Sequence, residues 1–362
     1  MTYLLIKGTF HIVGHSPDGD SIKFQANNPK HWDKINTDHR EKFEENLEKE
    51  EGVINLRLQG IDALETHYSP TGLPTPRALY DKKSNRPDEK PAAGNHKQPV
   101  ELADAATNAI VKLFGVTKME WGHWGHTTWV KRACIEKRGK EVWLEEKYQD
   151  NLPGYIVTQD VEKNGRPISW VFAGTTRTRD GSKQTVAQLV RRVERSANYQ
   201  LLRQGLVYPY FFMTLPGRLR DKLAEAAQEA LKESRKMRKS RKKDAPKKPN
   251  LWLYDQTSRG VRLTTLENLT DQYETYPYLF RKILKHWHRT HLKEYWEAWG
   301  EGHAYDPDKD YEKIDLNGFF EGGNPYLFVI SDQDFVRLDH ILEIKRGRLK
   351  LKKYPFDIVF LS

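Results

Sequence analysis

The sequence predicts an α+β fold divided into two domains. In the first half of the chain, short segments place apolar residues at alternate positions, as Ile54, Leu56 and Leu58 do, and this period is typical of β-strands. Three longer segments instead space their apolar residues as helices do: 101–114, 217–238 and 278–299. Beyond about residue 257 the composition changes, and four further strands are predicted: 326–330, 341–345, 349–353 and 357–361. We therefore predict a first domain over 1–255 and a smaller α+β accessory domain over 256–362.

Composition limits the class of protein. The 362 residues are 37% hydrophobic, which is enough for one sizeable core and a second domain. The net charge of +10 suits a polyanionic partner, although many ordinary proteins are equally basic. The single cysteine, Cys134, excludes an intramolecular disulfide and suits a reducing interior. Because the first apolar run is too short for a signal peptide and no apolar run reaches membrane-spanning length, we expect a cytoplasmic protein without a membrane partner.

Two acidic corners are the first candidates for chemistry. Asp20 lies in an Asp-Gly-Asp turn between two predicted strands. Farther along, a strand carrying Arg57 turns at Gly60 and leads to Asp62 and Glu65. Two carboxylates brought together can hold a hard cation through oxygen, and a neighbouring arginine can bind a phosphate with two parallel hydrogen bonds. Each corner alone is equally consistent with an ordinary turn and a surface ion pair.

Further motifs follow in a fixed order. Lys163-Asn164-Gly165-Arg166 lies between two strand-like runs and predicts a hairpin. Next comes a short predicted helix, Ser196–Gln204, which contains Asn198 and ends at Gly205 within a Leu-Leu-Arg-Gln-Gly-Leu segment. Tyr208 and Tyr210 follow it. Trp252 closes the series after a long basic helix. Together with the two acidic corners, this order of motifs resembles the staphylococcal-nuclease-like (thermonuclease) family over about residues 3–255, with insertions.

The resemblance implies a fold and an activity. The fold would be a five-stranded β-barrel of the OB type packed against helices, which offers loops and a strand face to oligonucleotides. The activity would be that of a metal-dependent nuclease that hydrolyses phosphodiester bonds of DNA, RNA or both, with calcium (Ca2+) as the cofactor. The metal ligands would be Asp20, Asp62 and the backbone carbonyl of Ala63. The catalytic residues would be Arg57, Glu65 and Arg166.

The resemblance also gives each side chain a role. Arg57 and Arg166 would hold the scissile phosphate from two sides, and Glu65 would orient or deprotonate the attacking water. Three residues would contact neighbouring phosphates or stack on a base: Lys163, Tyr208 and Tyr210. The chain departs from the family pattern at Leu64, where proline is common, and in the short spacing between Gly205 and the two tyrosines.

The chemistry supports these roles independently of the resemblance. Phosphodiester hydrolysis builds negative charge on the phosphate oxygens, and fixed cationic groups that meet this charge lower the barrier. A planar guanidinium offers two parallel hydrogen bonds where lysine offers a point charge. Calcium accepts six to eight oxygen ligands in loose geometry, so two carboxylates, a carbonyl and waters suffice. The motif contains no cysteine or histidine, which argues against zinc.

Two other classes of function stay open at this stage. One is a catalytically silent nucleic-acid-binding or scaffolding module, although the retention of all five charged motif residues favours an enzyme. The other is an enzyme whose specificity comes from 257–362, through binding of a protein partner or a marked DNA. The segment Lys232–Lys248 holds ten basic residues against Glu233 and Asp244, and it suits a solvated linker and a nucleic-acid tether equally well.

Overall fold

The computed structural model of the chain describes residues 2–66, 68, 96–124, 127–137, 139–147, 150–240, 249–300 and 313–361. These residues form two compact units, one of 1–63 with 104–250 and one of 64–103 with 251–362. The C-terminal part of the second unit begins at Leu251, close to the predicted boundary, but the unit also includes 64–103, which the sequence predicts as part of the first domain. The reason is local: Gln98 of that segment donates a hydrogen bond to the backbone oxygen of Thr275 (2.7 Å).

The first unit contains most of the regular elements. Its strands are β1 Thr2–His11, β2 Ser21–Ala26, β3 Val53–Leu58, β4 Ile61–Asp62, β5 Val116–Trp124, β6 Thr127–Lys137, β7 Lys140–Leu144, β8 Leu152–Val161, β9 Pro167–Ala173, β10 Lys183–Thr185, β11 Tyr208–Pro209 and β12 Phe211–Phe212. Its α-helices are α1 Arg40–Lys49, α2 Val100–Leu113 (whose first turn is counted with the second unit), α3 Val186–Val190, α4 Ala197–Gln204 and α5 Gly217–Ser240.

Five of these strands close into a barrel. Strands β1, β2 and β3 pair antiparallel in that order, and β3 then pairs parallel with β9. Strand β9 pairs antiparallel with β8, which returns to β1 and completes the circle. This is a mixed five-stranded barrel of the OB type, so the predicted fold is confirmed. Aromatic side chains fill it, and the ring centroids of Phe10 and Phe24 lie 4.9 Å apart with both residues fully buried.

The helix that follows the barrel strands forms where the sequence predicts it. The Ser196 side chain accepts a hydrogen bond from the Tyr199 amide and begins α4. Gly205 ends α4 in the left-handed conformation (φ +71°), which a residue with a Cβ adopts less readily. Leu201 and Leu202 of this helix are fully buried. The next helix, α5, buries Leu219 and Leu223 on one face, as its apolar spacing predicts.

The second unit is α+β, in agreement with the predicted accessory domain. Its α-helices are α6 Leu251–Tyr254, α7 Pro277–Gly300 and α8 Leu338–Ile341. Its strands are β13 Val261–Arg262, β14 Tyr326–Val329, β15 Asp334–Arg337, β16 Leu342–Lys345, β17 Arg348–Leu351 and β18 Ile358–Phe360. Strand β14 pairs with β15 and β18, and β17 pairs with β13 and β16. Within the described ranges, no helix combines the length and apolar character that a membrane span requires.

Candidate active site

A tight turn after β3 positions the central part of the site. Gly60 has φ +79°, and a Cβ built on it would lie 2.4 Å from Cδ1 of Leu223, so the position requires glycine. The chain then reverses into β4, which ends at Asp62. Arg57 lies on β3, before the turn. The turn therefore brings the Asp62 carboxylate back to the Arg57 guanidinium.

Three side chains form a charged group that we call the Asp–Arg–Asp cluster: Asp20, Arg57 and Asp62. Nη1 of Arg57 lies 2.5 Å from Oδ2 of Asp20, and Nη2 lies 2.7 Å from Oδ1 of Asp62. Asp20 is 5% exposed and Asp62 is fully buried. One guanidinium thus contacts both of the carboxylates that the resemblance assigns as metal ligands.

The Asp20 corner is fixed by the backbone on both sides. The Ala63 amide donates a hydrogen bond to Oδ2 of Asp20 (2.9 Å), and the Leu58 amide donates one to the Asp20 carbonyl (2.9 Å). Gly19 allows the close approach, since a Cβ at that position would lie 2.8 Å from Cβ of Ala63. Ala63 therefore contributes an amide donor to the cluster, a role that the sequence did not indicate.

Asn198 secures the end of β3 from the neighbouring helix. Its side-chain amide donates to the carbonyls of Gln59 (2.9 Å) and Ser169 (3.0 Å), and its side-chain oxygen accepts from the Val171 amide (3.1 Å). Asn198 is fully buried, so these bonds satisfy a group that would otherwise be costly to bury. The side chain thus ties the turn that leads to Asp62 to strand β9. The sequence marked Asn198 as part of a motif but gave it no role.

Arg166 immediately precedes β9, the strand that pairs with the strand carrying Arg57. In the parallel pairing Ile168 lies opposite Arg57, and Arg166 precedes Ile168 by two residues, just outside the strand. Nε of Arg166 lies 2.7 Å from Oε1 of Glu162, so the half-buried arginine has a carboxylate partner within its own hairpin. Lys163 is exposed in the turn of that hairpin.

Glu65 belongs to the second unit and is held there by two residues. Its carboxylate forms an ion pair with Arg281 of α7, and its amide donates to Oε1 of Gln98 (3.1 Å). Arg281 lies 216 positions away in the sequence, beyond the reach of any local motif. Arg281 and Gln98 are therefore partners that sequence reasoning missed, and the assigned role of Glu65 stays a prediction.

The two tyrosines differ from the prediction. Tyr208 lies opposite Asp62 in the β11–β4 pair and is fully buried, so its ring belongs to the core and offers no face to a base. Tyr210 is half-buried, and its ring packs edge-on against Phe212 at 4.7 Å between centroids. The proposed base-stacking role is thus corrected for Tyr208. The short spacing after Gly205 explains this result, because it places Tyr208 in a strand of the barrel unit.

The predicted metal site has few donors. Among the described residues, no group of three or more histidine, cysteine, aspartate or glutamate side chains is arranged to hold a metal ion. A cation at the cluster would therefore use two carboxylates, the predicted Ala63 carbonyl and waters. Cys134 is fully buried on β6, which suits a core residue.

Comparison of the chain with known protein families and with curated proteins finds no match. The resemblance to staphylococcal-nuclease-like proteins therefore rests on the order of the motifs in the sequence.

Proposed function

We propose that the chain is a metal-dependent phosphodiesterase that cleaves nucleic acid, with calcium as the cation. One observation carries this proposal: the Asp–Arg–Asp cluster lies at the end of β3 in an OB-type barrel, and Arg166 immediately precedes β9, the strand that pairs with β3. The barrel type suits an oligonucleotide ligand. The cluster supplies oxygen ligands for a hard cation and guanidinium groups for a phosphate.

The donor set fits a divalent cation. The two carboxylates and the guanidinium of the cluster have a formal charge of −1, and the carboxylates are 5% and 0% exposed. An excess negative charge with little access to water is unfavourable, and a bound cation would offset it. Oδ2 of Asp20 accepts a hydrogen bond from the Ala63 amide and forms the ion pair with Arg57, whereas Oδ1 accepts no hydrogen bond in the described part of the chain. A bound calcium ion would supply Lewis acidity and orient water at the phosphate.

Arg57 must exchange partners to hold a phosphate. Both of its terminal nitrogens contact aspartates in the structure. When Asp20 and Asp62 turn toward a cation, the guanidinium loses those partners and can form two parallel hydrogen bonds with phosphate oxygens. Arg166 would give up its ion pair with Glu162 in the same way and bind the phosphate beside Arg57. Metal binding and phosphate binding are then coupled through the shared carboxylates.

Glu65 is the residue that we assign to the attacking water. Its ion pair with Arg281 and the hydrogen bond from its amide to Gln98 fix the carboxylate and the backbone that carries it. A carboxylate in this role would orient the water or accept its proton. This assignment predicts that Glu65→Gln loses activity while Asp20 and Asp62 still bind the cation.

The decisive experiment measures cleavage of plasmid DNA and of single-stranded DNA and RNA oligonucleotides with calcium, with magnesium, and with excess chelator. We expect cleavage with calcium and none with chelator. Asp20→Asn and Asp62→Asn should abolish cleavage. Asp180→Asn is the matched control, because Asp180 accepts a hydrogen bond from the Lys7 amide (2.8 Å) in the same unit but is not part of the cluster. Full activity in chelator would remove both aspartates from the ligand role.

A second candidate function is a catalytically silent nucleic-acid-binding module. The observation that favours it is the engagement of both terminal nitrogens of Arg57 by the aspartates, since the cluster could then be purely structural. The same assay separates the two functions when a binding measurement is added. Binding of the oligonucleotides without cleavage under every metal condition would support the silent module.

A further inference from the structure

The second unit has a strongly basic concave surface on one face of its β13–β17–β16 sheet. Five cationic side chains line this surface, which we call the basic sheet face: Arg262, Lys345, Arg346, Arg348 and Lys350. All five are exposed, and Glu343 is the acidic residue that lines the same surface. The formal charge of these six side chains is +4. The opposite face of the sheet is apolar, with Val261, Leu349 and Leu351 buried.

The pairing register explains how the charges come together. Arg262 lies opposite Arg348, which lies opposite Lys345, and Glu343 lies opposite Lys350. Residues at alternate positions of a strand share a face, and neighbouring strands lie about 4.8 Å apart. Like charges directly opposite one another are unfavourable in a sheet. Charges that repel each other in this way are stabilised by an anionic ligand.

The basic residues have no carboxylate partner within the described part of the chain. Arg348 donates one hydrogen bond, to the carbonyl of Arg259 (3.1 Å). Elsewhere in the same unit cations do pair, as Lys353 does with Asp332 (2.5 Å) and Arg337 with Asp339 (2.9 Å). The basic sheet face therefore has an excess of positive charge that no ion pair in the described part of the chain offsets, although Glu343 lies on the same surface.

The β16–β17 turn adds a second, independent observation. Arg346 and Gly347 both have positive φ, +51° and +72°, which is the conformation of a two-residue type I′ hairpin. Asparagine or aspartate is preferred before the glycine in such turns, and arginine adopts this region of backbone space rarely. Residues held in such conformations often serve a function. We interpret the arginine at the tip of this hairpin as a residue that serves a function through its charge.

We propose that the basic sheet face binds the sugar–phosphate backbone of nucleic acid without reading its sequence. Its lining consists of charged side chains and Gly260, with no aromatic ring for stacking and no apolar anchor. Protein interfaces usually centre on aromatic or apolar anchors, and peripheral membrane binding combines basic with apolar groups. Phosphate contacts by lysine and arginine need neither. This inference goes beyond the proposed hydrolysis, because a chain that does not cleave could still bind through this face.

The test compares binding of the full chain and a fourfold variant to a labelled duplex of about 20 base pairs, in chelator and across a range of salt concentrations. The variant carries Arg262→Gln, Lys345→Gln, Arg346→Asn and Lys350→Gln, and it keeps Arg348 because that side chain bonds the backbone. We expect at least a tenfold loss of affinity. The slope of log K against log salt should flatten by roughly 3 to 4, since each lost phosphate contact removes about 0.9.

A charge-matched control distinguishes this surface from the overall charge of the chain. It replaces four ion-paired lysines of the first unit with glutamine: Lys42, Lys49, Lys118 and Lys222. The control should bind as the parent does, and unfolding temperatures should show that both variants are folded. An unchanged salt slope in the fourfold variant, or an equal loss in the control, would overturn the proposal. Tighter binding of the parent to phosphatidylserine vesicles or to polyglutamate than to the duplex would overturn the choice of nucleic acid.

Discussion

The Asp–Arg–Asp cluster and the basic sheet face use arginine in opposite ways. In the cluster a mostly buried Arg57 forms ion pairs with two carboxylates at 2.5 and 2.7 Å. On the basic sheet face, exposed arginines and lysines have no carboxylate partner in the described part of the chain. Buried charges interact strongly and only in one geometry, whereas exposed charges act over a Debye length and weaken with salt. In the proposed function, the cluster would therefore depend on the exact positions of its side chains, whereas the basic sheet face would attract phosphate groups over a longer distance.

The largest expected effect comes from breaking the cluster. Arg57→Leu leaves two carboxylates, 5% and 0% exposed, without their shared cation. Removing one member of such a buried group costs about 3 to 5 kcal/mol, because the remaining charge is uncompensated. The matched change Arg262→Leu on the basic sheet face should cost within about 0.5 kcal/mol. Urea unfolding of the two variants measures both values, and equal costs would contradict the contrast drawn above.

The next effect tests the geometry of the arginines while their charge is kept. Arg166→Lys preserves the positive charge but loses the planar pair of donors, so turnover in the cleavage assay should fall by roughly a hundredfold. Arg57→Lys should behave in the same way. Arg203→Lys is the control, since Arg203 is an exposed arginine of the same unit that pairs with Glu229 (2.5 Å) and is not part of the candidate site. Cleavage by Arg166→Lys at the parent rate would remove that residue from the phosphate-binding role.

Much of the fold could be predicted because its signals are local. Alternating apolar residues indicated the barrel strands, and Asn164-Gly165 indicated a hairpin whose glycine has φ +78°. Gly205 indicated the end of α4. Strands β13 and β15 were missed because β13 is two residues long and β15, residues 334–337, is largely exposed and alternates weakly. An alternation of apolar and polar residues cannot be recognised in such segments.

The candidate site could be predicted only where its residues belong to local sequence motifs. The contact between Asp20 and Asp62 through Arg57 follows from two turns that the sequence marks clearly. The partner of Glu65 does not follow, since Arg281 is 216 positions distant. The inclusion of 64–103 in the second unit could not be predicted either, because it depends on contacts between residues far apart in the sequence, such as Gln98 and Thr275. Burial of Tyr208 depends on a two-residue pairing with β4 that no sequence pattern announces.

A third prediction extends the contrast between buried and exposed groups to pH. His96 and His288 of the second unit are buried with ring centroids 5.6 Å apart, and neither ring nitrogen of His288 has a hydrogen-bond partner in the described part of the chain. Burial lowers the pKa of both side chains to about 4. Because the unfolded chain has a histidine pKa near 6.5, it binds more protons than the folded chain as the pH falls.

The stability contribution of these neutral histidines is therefore complete above about pH 6.5 and is lost as the pH falls through about 4. His288→Phe should flatten the dependence of unfolding free energy on pH by up to about 1.4 kcal/mol per pH unit in this range. His340→Phe is the control, because the His340 side chain is 62% exposed. Denaturant unfolding at several pH values gives the slopes. An unchanged slope in His288→Phe would show that His288 does not titrate with folding.

The smallest expected effect is a gain in stability, in contrast to the losses predicted above, and it concerns the tip of the basic sheet face. Arg346 occupies the left-handed region at φ +51°, where asparagine is better tolerated. Arg346→Asn should therefore stabilise the second unit, by about 1 kcal/mol or less, as relief of an unfavourable backbone conformation typically does. Arg348→Asn, on the adjoining strand, offers no such relief and should not stabilise the second unit.

Urea unfolding compares the two variants, and binding of the labelled duplex is measured in parallel. A gain in stability together with weaker binding would mean that Arg346 is retained because its charge contacts phosphate, at some cost in stability. A gain in stability without any loss of binding would show that Arg346 takes no part in binding.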